Sequence, residues 1–439
     1  MTLKEKYELA RWAVDHALKN GAQQSKVIIS NSRSNSISVR EEKIENLEQS
    51  TENGLTIFLY VDSRYSVHST NRLDNKAELK KFIEEGIAGT SYLSEDEYRR
   101  LPDPDLYYKG GGPDLKIDDE TFMDIDPDSK ISMAFETERE ALGKDERIVS
   151  VTANYNDGSN AMVMVTSNGF EGGRDNTYYS LGASVSVKQG DARPSESWYE
   201  SALFHDSLDK EGVGKKALER ALKKLGQEKI KSANMPMIIE NRVAGQSLRP
   251  LVQALSGAAI QQKNSFLVDM LGEKVGSDRF TLIDDPFVIS GRGSRLFDNE
   301  GLAMEERTIF DKGVLKQYYI DTYYGRKLGM EPNSGSTTNL VVKPGHRTQE
   351  QMIATLDRGI VVTGFNGGNA NGSTGDFSYG VEGFLVEKGK IVKPVAEMNI
   401  TGNFLDLYLN LLEAGNDVYK DSAWRTPSLL FDNVSFSGK

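Results

Sequence analysis

One stretch constrains this chain more than any other: Gly364 to Gly383 reads GFNGGNANGSTGDFSYGVEG, and seven of its twenty residues are glycine. Polar residues fill most of the gaps. Directly afterwards the pattern turns regular, with Phe384-Leu385-Val386, a Glu387-Lys388-Gly389-Lys390 turn, then Ile391-Val392. A glycine-dense loop feeding a strand lets another backbone approach closely, because no Cβ stands in the way. Gly367, Gly368, Asn369, Gly375, Asp376 and Phe377 are therefore candidates for binding a peptide or a partner chain. Asp376 and Glu382 could form a carboxylate pair, but an Asp in such a loop is read first as a turn cap.

Around this stretch the chain has room for two to three domains at 439 residues. The net charge of −12 lacks the positive footprint of a non-specific nucleic-acid binder. With no cysteine, disulfides, thiolate metal sites and a cysteine nucleophile are excluded, and a reducing compartment fits. The charged start, MTLKEKYELARWAVDHALKNG, has no apolar run of signal-peptide type. No segment approaches the ~20 apolar residues that span a bilayer. A cytoplasmic protein is expected, bound to neither nucleic acid nor membrane.

The pattern divides the chain near Ser232. Residues 1–232 read as a mixed domain with strands in antiparallel meanders. Helices are expected at Leu3–Leu18, Asn75–Glu85, Ser129–Leu142 and Gly212–Leu225. Strands are expected at Lys26–Ile29, Ser36–Arg40, Leu55–Val61, Arg64–His68, Ile148–Tyr155, Ala161–Ser167 and Thr177–Lys188. The acidic run from Asp118 to Asp128 lacks the Gly and Glu positions of an EF-hand and reads as a solvated loop. Residues 233–439 read as a β-rich, barrel-like domain with packed helices. It contains a short strand at Met237–Ile239, a helix starting near or kinked at Pro250, two Lys-Gly hairpins, and a last helix at Asn403–Ala414. The fold class expected is α+β.

Standard chemical motifs are absent. His16, His68, His205 and His346 are scattered, so no local histidine metal motif exists. Gly212-Val213-Gly214-Lys215-Lys216 lacks the spacing and Ser/Thr of a P-loop, and no GxSxG elbow occurs.

Several blocks do match a family. They are Asn264–Asp269, Phe297–Gly301, Gly313–Tyr318, Tyr324–Gly329, Thr374–Ser378 with Gly380 and Gly383-Phe384, and Ala414–Asp417, in collinear order. In these the chain resembles the TldD/PmbA (TldE) family, the "modulator of DNA gyrase" proteins. The first half agrees loosely, in Ser167-Asn168-Gly169-Phe170. TldD-type members carry an HExxxH motif on the helix after the short strand, and a cysteine near the C-terminus. They resemble zinc metallopeptidases acting on unfolded peptides. Here the matching segment puts Asn241 and Gln246 where the histidines would be and Arg242 where the glutamate would be. Carboxamides bind zinc poorly, and a guanidinium cannot act as a general base. The resemblance therefore implies a PmbA/TldE-like subunit with no catalytic residue and no metal of its own. It implies a TldD-like metalloprotease partner that holds the zinc, an unfolded peptide as substrate, and a homodimer where that partner is missing. The alternative it leaves open is a non-proteolytic regulatory or binding protein.

Overall fold

Strand length is where the first half departs furthest from expectation. In the computed structural model, which describes residues 1–439, helix α1 (Leu3–Lys19) opens on a reciprocal cap between Thr2 and Glu5. There follow β1 (Gln24–Arg40), β2 (Lys43–Val61), β3 (Arg64–Thr70), α2 (Lys76–Thr90), α3 (Pro127–Arg139), β4 (Ile148–Thr166), β5 (Glu171–Val187), β6 (Ser195–Ala202) and α4 (Val213–Lys223). The six strands form one antiparallel sheet in the order β3-β2-β1-β4-β5-β6. The sequence suggests two short strands on either side of Ser30–Asn35, and again around Asn156–Asn160. Each pair is in fact one unbroken strand. The polar middles hold because both edges of the backbone are paired. Side chains also bond across, Asn35 to Asp157 at 2.6 Å and Ser36 to Asn156 at 2.8 Å.

Alternation then decides which face is covered. Val27, Ile29, Leu55, Ile57, Val163 and Val165 pack under α1 and α2. Further along the same face Ile37, Val39, Tyr155, Tyr179 and Leu181 pack under α3 and the start of α4. The acidic run corrects the expectation of a solvated loop at one position. Asp119 is buried and accepts bonds from the Thr121 amide and hydroxyl, the His205 amide and the Tyr179 hydroxyl.

The second half is built on a closed barrel. Its elements are β7 (Ala233–Ile239), α5 (Asn241–Ala254), α6 (Gly257–Gln261), β8 (Leu282–Asp285), β9 (Arg307–Asp311), β10 (Val314–Leu315), α7 (Thr322–Leu328), β11 (Asn339–Val342), α8 (Gln349–Ile353), β12 (Arg358–Ala370), β13 (Asp376–Glu387), β14 (Lys390–Asn403), α9 (Phe404–Leu409), β15 (Leu411–Ala414), β16 (Trp424–Arg425) and β17 (Leu429–Ser437). Strands β14-β13-β12-β7-β17 run side by side, and β14 meets β17 to close the ring, with β15 attached outside. Only β7 and β12 are parallel within it. Alternate residues such as Met237, Ile239, Val362, Met398 and Phe431 fill the barrel against α5 and α9. A smaller sheet, β10-β9-β8-β11-β16, sits beside it. The mixture is α+β with a barrel, as the pattern indicates.

Three local readings need correction. The glycine-rich stretch is a strand hairpin more than a loop: β12 runs to Ala370 and β13 begins at Asp376. Its glycines admit the chain's own partner strand. A Cβ on Gly383 would lie 1.9 Å from the Val361 carbonyl oxygen, and one on Gly368 would lie 2.2 Å from that of Ser378. The helix expected to run to Ala414 stops at Leu409, and Leu411–Ala414 pairs with β17 instead. Helix α5 does not start near Pro250, one of the two expectations there: it begins at Asn241, and Pro250 lies inside it, where it cannot donate to the Gln246 carbonyl.

Candidate functional site

Asn241, Arg242 and Gln246 lie in the first turn and a half of α5, entered directly from barrel strand β7. The Asn241 side-chain amide donates to the Asp417 carbonyl at 2.6 Å, and its backbone carbonyl accepts from the Thr426 hydroxyl at 3.1 Å. Asp417 is itself held by Ser428, through the amide at 3.0 Å and the hydroxyl at 2.7 Å. Asn241 thus ties the helix start to the loop before β17.

Arg242 points the other way, into the first half of the chain. Its guanidinium lies 3.5 Å from the centre of the Trp198 ring and 4.8 Å from that of Tyr419. It donates to the Tyr199 carbonyl at 2.9 Å and meets the Glu200 carboxylate at 3.3 Å. Only 14 % of the side chain is exposed. Planar stacking plus forked hydrogen bonding is what a guanidinium offers and an ammonium does not. Burial pushes the Tyr419 hydroxyl upward, and its neighbour Tyr199 adds to this.

A charge network flanks this clamp. Arg220 of α4 makes a two-pronged pair with Glu240, at 2.9 and 2.8 Å. Lys224, one turn later, contacts Glu382 of β13 at 2.7 Å and Glu196 of β6 at 3.0 Å. Burial acts against the Arg220 charge, but Glu240, Glu196 and Glu382 outweigh it and raise its proton affinity. Glu382 is therefore a structural partner of Lys224. Asp376 accepts from the Thr374 hydroxyl at 2.7 Å and the Asn403 amide at 3.0 Å, which lowers its carboxyl below the ordinary range.

Between α5 and the β12–β13 hairpin lies a cavity of about 620 Å³. Gln246, Arg249, Gln253 and Asn264 supply polar groups, while Phe365, Phe377, Tyr379 and Phe404 form an aromatic wall. Phe377 stacks between Tyr379 and Phe404, at 5.8 and 4.8 Å between ring centres. The structure thus brings Gln246 and Phe377 to one cavity. Gly367, Gly368 and Asn369 are exposed on the outer part of the hairpin, Gly375 ends its turn and Asp376 opens β13. Asn241 and Arg242 face away and do not line the cavity. Beyond Val362, β12 pairs with β13 on one side and has no strand on the other. No motif or spacing in the sequence marks Trp198, Tyr199 or Tyr419; the one local signal is the aromatic-acidic run Trp198-Tyr199-Glu200 on a strand.

An α+β chain whose six-stranded sheet is clamped to a five-stranded barrel, with a groove at the barrel's helix, defines a distinct architectural class. Family models match it almost throughout: PmbA/TldA metallopeptidase domain 1 over residues 26–89, the central domain over 120–225 and the C-terminal domain over 232–438. This chain belongs to the PmbA/TldD metallopeptidase family. It is 32% identical to the metalloprotease PmbA homolog of Haemophilus influenzae, over 99% of this chain and 96% of that one. It is 30% identical to metalloprotease PmbA of Escherichia coli O157:H7, over 97% and 96%. A solved structure from Bacteroides thetaiotaomicron, described as a modulator of DNA gyrase, covers 100% of both chains at 50% identity and TM-score 0.98. TldE from Thermococcus kodakarensis shares the fold, with TM-score 0.87 at 21% identity over 98% of this chain and 100% of that one.

A metallopeptidase implies a metal, and the residues at the motif positions do not fit zinc. Two carboxamides and a guanidinium offer no imidazole or carboxylate, and the Arg242 charge repels a divalent cation. Asn241 and Arg242 are already engaged in the contacts described above. No group of three His, Cys, Asp or Glu side chains is placed to hold a metal ion.

Proposed function

We propose that this chain is the PmbA/TldE-type subunit of a two-component cytoplasmic metallopeptidase that processes unfolded peptides. A TldD-like partner supplies the zinc and the general base, and this chain supplies a peptide groove. One observation carries the reading: Arg242, which the resemblance sets at the position of the general base, is fixed between Trp198 and Glu200, on the same helix whose later turns line an open cavity reached by the Gly-rich hairpin. The one-sided edge of β12 suits an extended peptide, because its free N–H and C=O groups can hold a further strand. The aromatic wall at Phe377 and Tyr379 suits apolar side chains of that strand.

The test has two arms. The chain alone is assayed for bound zinc and for cleavage of an unfolded peptide such as reduced, denatured casein. It is then co-expressed with a TldD-like chain from the same genome. The expected result is no stoichiometric zinc and no cleavage alone, with a stable complex and restored cleavage together. Zinc with activity in the lone chain overturns the proposal, as does the absence of any complex or effect on the partner. A stable peptide complex with no proteolysis in either arm supports the second reading, a regulatory binding protein, which the modulator name of the Bacteroides structure favours.

A further inference from the structure

A second cavity, of about 700 Å³, borders the first sheet. It is bounded by residues 113–121, the start of β5 and residues 295–297. Two guanidiniums line it, Arg174 from β5 and Arg295 from the loop before β9. Neither is paired with a carboxylate. Arg174 donates to the side-chain oxygen of Asn299 at 3.0 Å, and Arg295 donates to the Thr337 carbonyl at 2.6 Å. The Arg295 Nε is buried with no hydrogen-bond partner. Burial weakens the hold of both groups on their protons, and at Arg295 the nearby Arg174 charge adds to the effect. Two half-buried like charges in one cavity cost stability; Asp298, and at Arg295 also Asp284, offset part of that cost without forming an ion pair, and an anion between the guanidiniums would offset more.

The same cavity also carries negative charge. Asp118 and Asp175 line it, with Asp114 and Glu120 at the exposed rim, and none of the four is in an ion pair. Burial raises the Asp118 carboxyl, and Asp175, Asp119 and Glu120 raise it further. Asp119 is the exception, since its oxygens are already occupied by hydrogen bonds. Arginines and aspartates thus line one space without forming an ion pair with each other.

We infer that this cavity binds a small zwitterion, a free amino acid or short peptide, with its carboxylate on Arg174 and Arg295 and its ammonium toward Asp118 and Asp175. The volume suits a ligand of a few residues. The inference does not depend on the peptidase reading, because this cavity and the α5 groove share no lining residue.

The experiment is calorimetric titration of the full chain with trialanine. Three end-blocked forms are run beside it: N-acetylated, C-amidated and doubly blocked. Trialanine is expected to bind with a Kd of about 1 mM or tighter, and each blocked form to bind at least about tenfold more weakly. Arg174→Gln and Asp118→Asn are each expected to weaken trialanine by a similar factor. Equal binding of free and doubly blocked peptide overturns the proposal, as does no binding below about 10 mM. Unchanged affinity in Arg174→Gln overturns it too. Should a variant fail to fold, the end-blocked series on the unaltered chain decides.

Discussion

Replacing Arg242 by Met tests the claim that this position has become a structural clamp. Met keeps an unbranched stem to pack on Trp198 but removes the charge and every donor. Three losses follow. The hydrogen bond to the Tyr199 carbonyl, at 2.9 Å from a charged donor, contributes about 1.5–3 kcal/mol. Stacking over Trp198 at 3.5 Å contributes about 1–2 kcal/mol in a mostly desolvated setting. Glu200, 18 % exposed, loses its cation and keeps only the Trp198 indole donor at 2.6 Å. These terms share the same atoms and do not add. Breaking a buried pair typically costs about 3–5 kcal/mol, and partial exposure of Glu200 sets the expectation at about 3 kcal/mol. Trp198 lies inside the clamp, so urea unfolding followed by tryptophan fluorescence reports on it directly. With a urea m-value of about 3 kcal/mol/M or more for a chain of this size, the midpoint is expected to fall by about 0.5–1 M. The partner variant Glu200→Gln should show a non-additive coupling above about 0.5 kcal/mol with Arg242→Met. A loss under about 1 kcal/mol, or strict additivity, would refute the clamp.

Other outcomes follow from the packing. Asp119→Ala is expected to cost about 2–4 kcal/mol by thermal denaturation, since Thr121, His205 and Tyr179 lose their acceptor. Burial raises the Asp119 carboxyl, but bonds from Thr121, His205 and Tyr179 outweigh it and leave it below 3.8. Its contribution is therefore present above the unfolded value and lost as pH falls through the folded one. Stability profiles of wild type and Asp119→Ala should begin to converge as pH falls below about 4 and continue to do so through the lower folded value. Arg307→Met should strand Asp284, both being almost fully buried at 2.7 Å, and cost about 3–5 kcal/mol in denaturant. Gly383→Ala should cost about 3 kcal/mol or more, or abolish soluble expression, because its Cβ falls on the Val361 carbonyl.

Sequence patterning made the periodic elements legible. Helices α1 and α4 carry clear apolar stripes, and both lie where that pattern puts them. The barrel-like character of the second half and the family were readable too. The long strands were not, because Ser, Asn and Gly fill their middles and strand preference there comes from pairing on both sides. Leu411 to Ala414 read as helix because their apolar spacing continues that of α9, and the neighbouring β17 overrides it. At the site, Asn241, Arg242 and Gln246 stand out in the sequence only through the resemblance, and the contacts of Arg242 are not legible there. Its partners come from Trp198, Glu200 and Tyr419, which no local spacing connects. The second cavity is hidden for the same reason, its lining coming from residues 113–121, 173–175 and 295–297, which no local spacing connects.

The way the barrel closes has a bearing on how the protein is made. Strand β7 sits between β12 and β17, and the seam between β14 and β17 rests on Asn399–Thr401 against Ser435–Ser437. On a ribosome, β7 emerges long before either neighbour exists, while the six-stranded sheet already has all its strands. The first half can assemble early, and its α4 then offers Arg220 and Lys224 to a nascent second half whose Glu240 emerges next and Glu382 much later. Contacts of such sequence separation form slowly. The apolar lining of an unclosed ring is exposed meanwhile, which makes the interval before β17 appears the stage at which this protein most needs protection from aggregation.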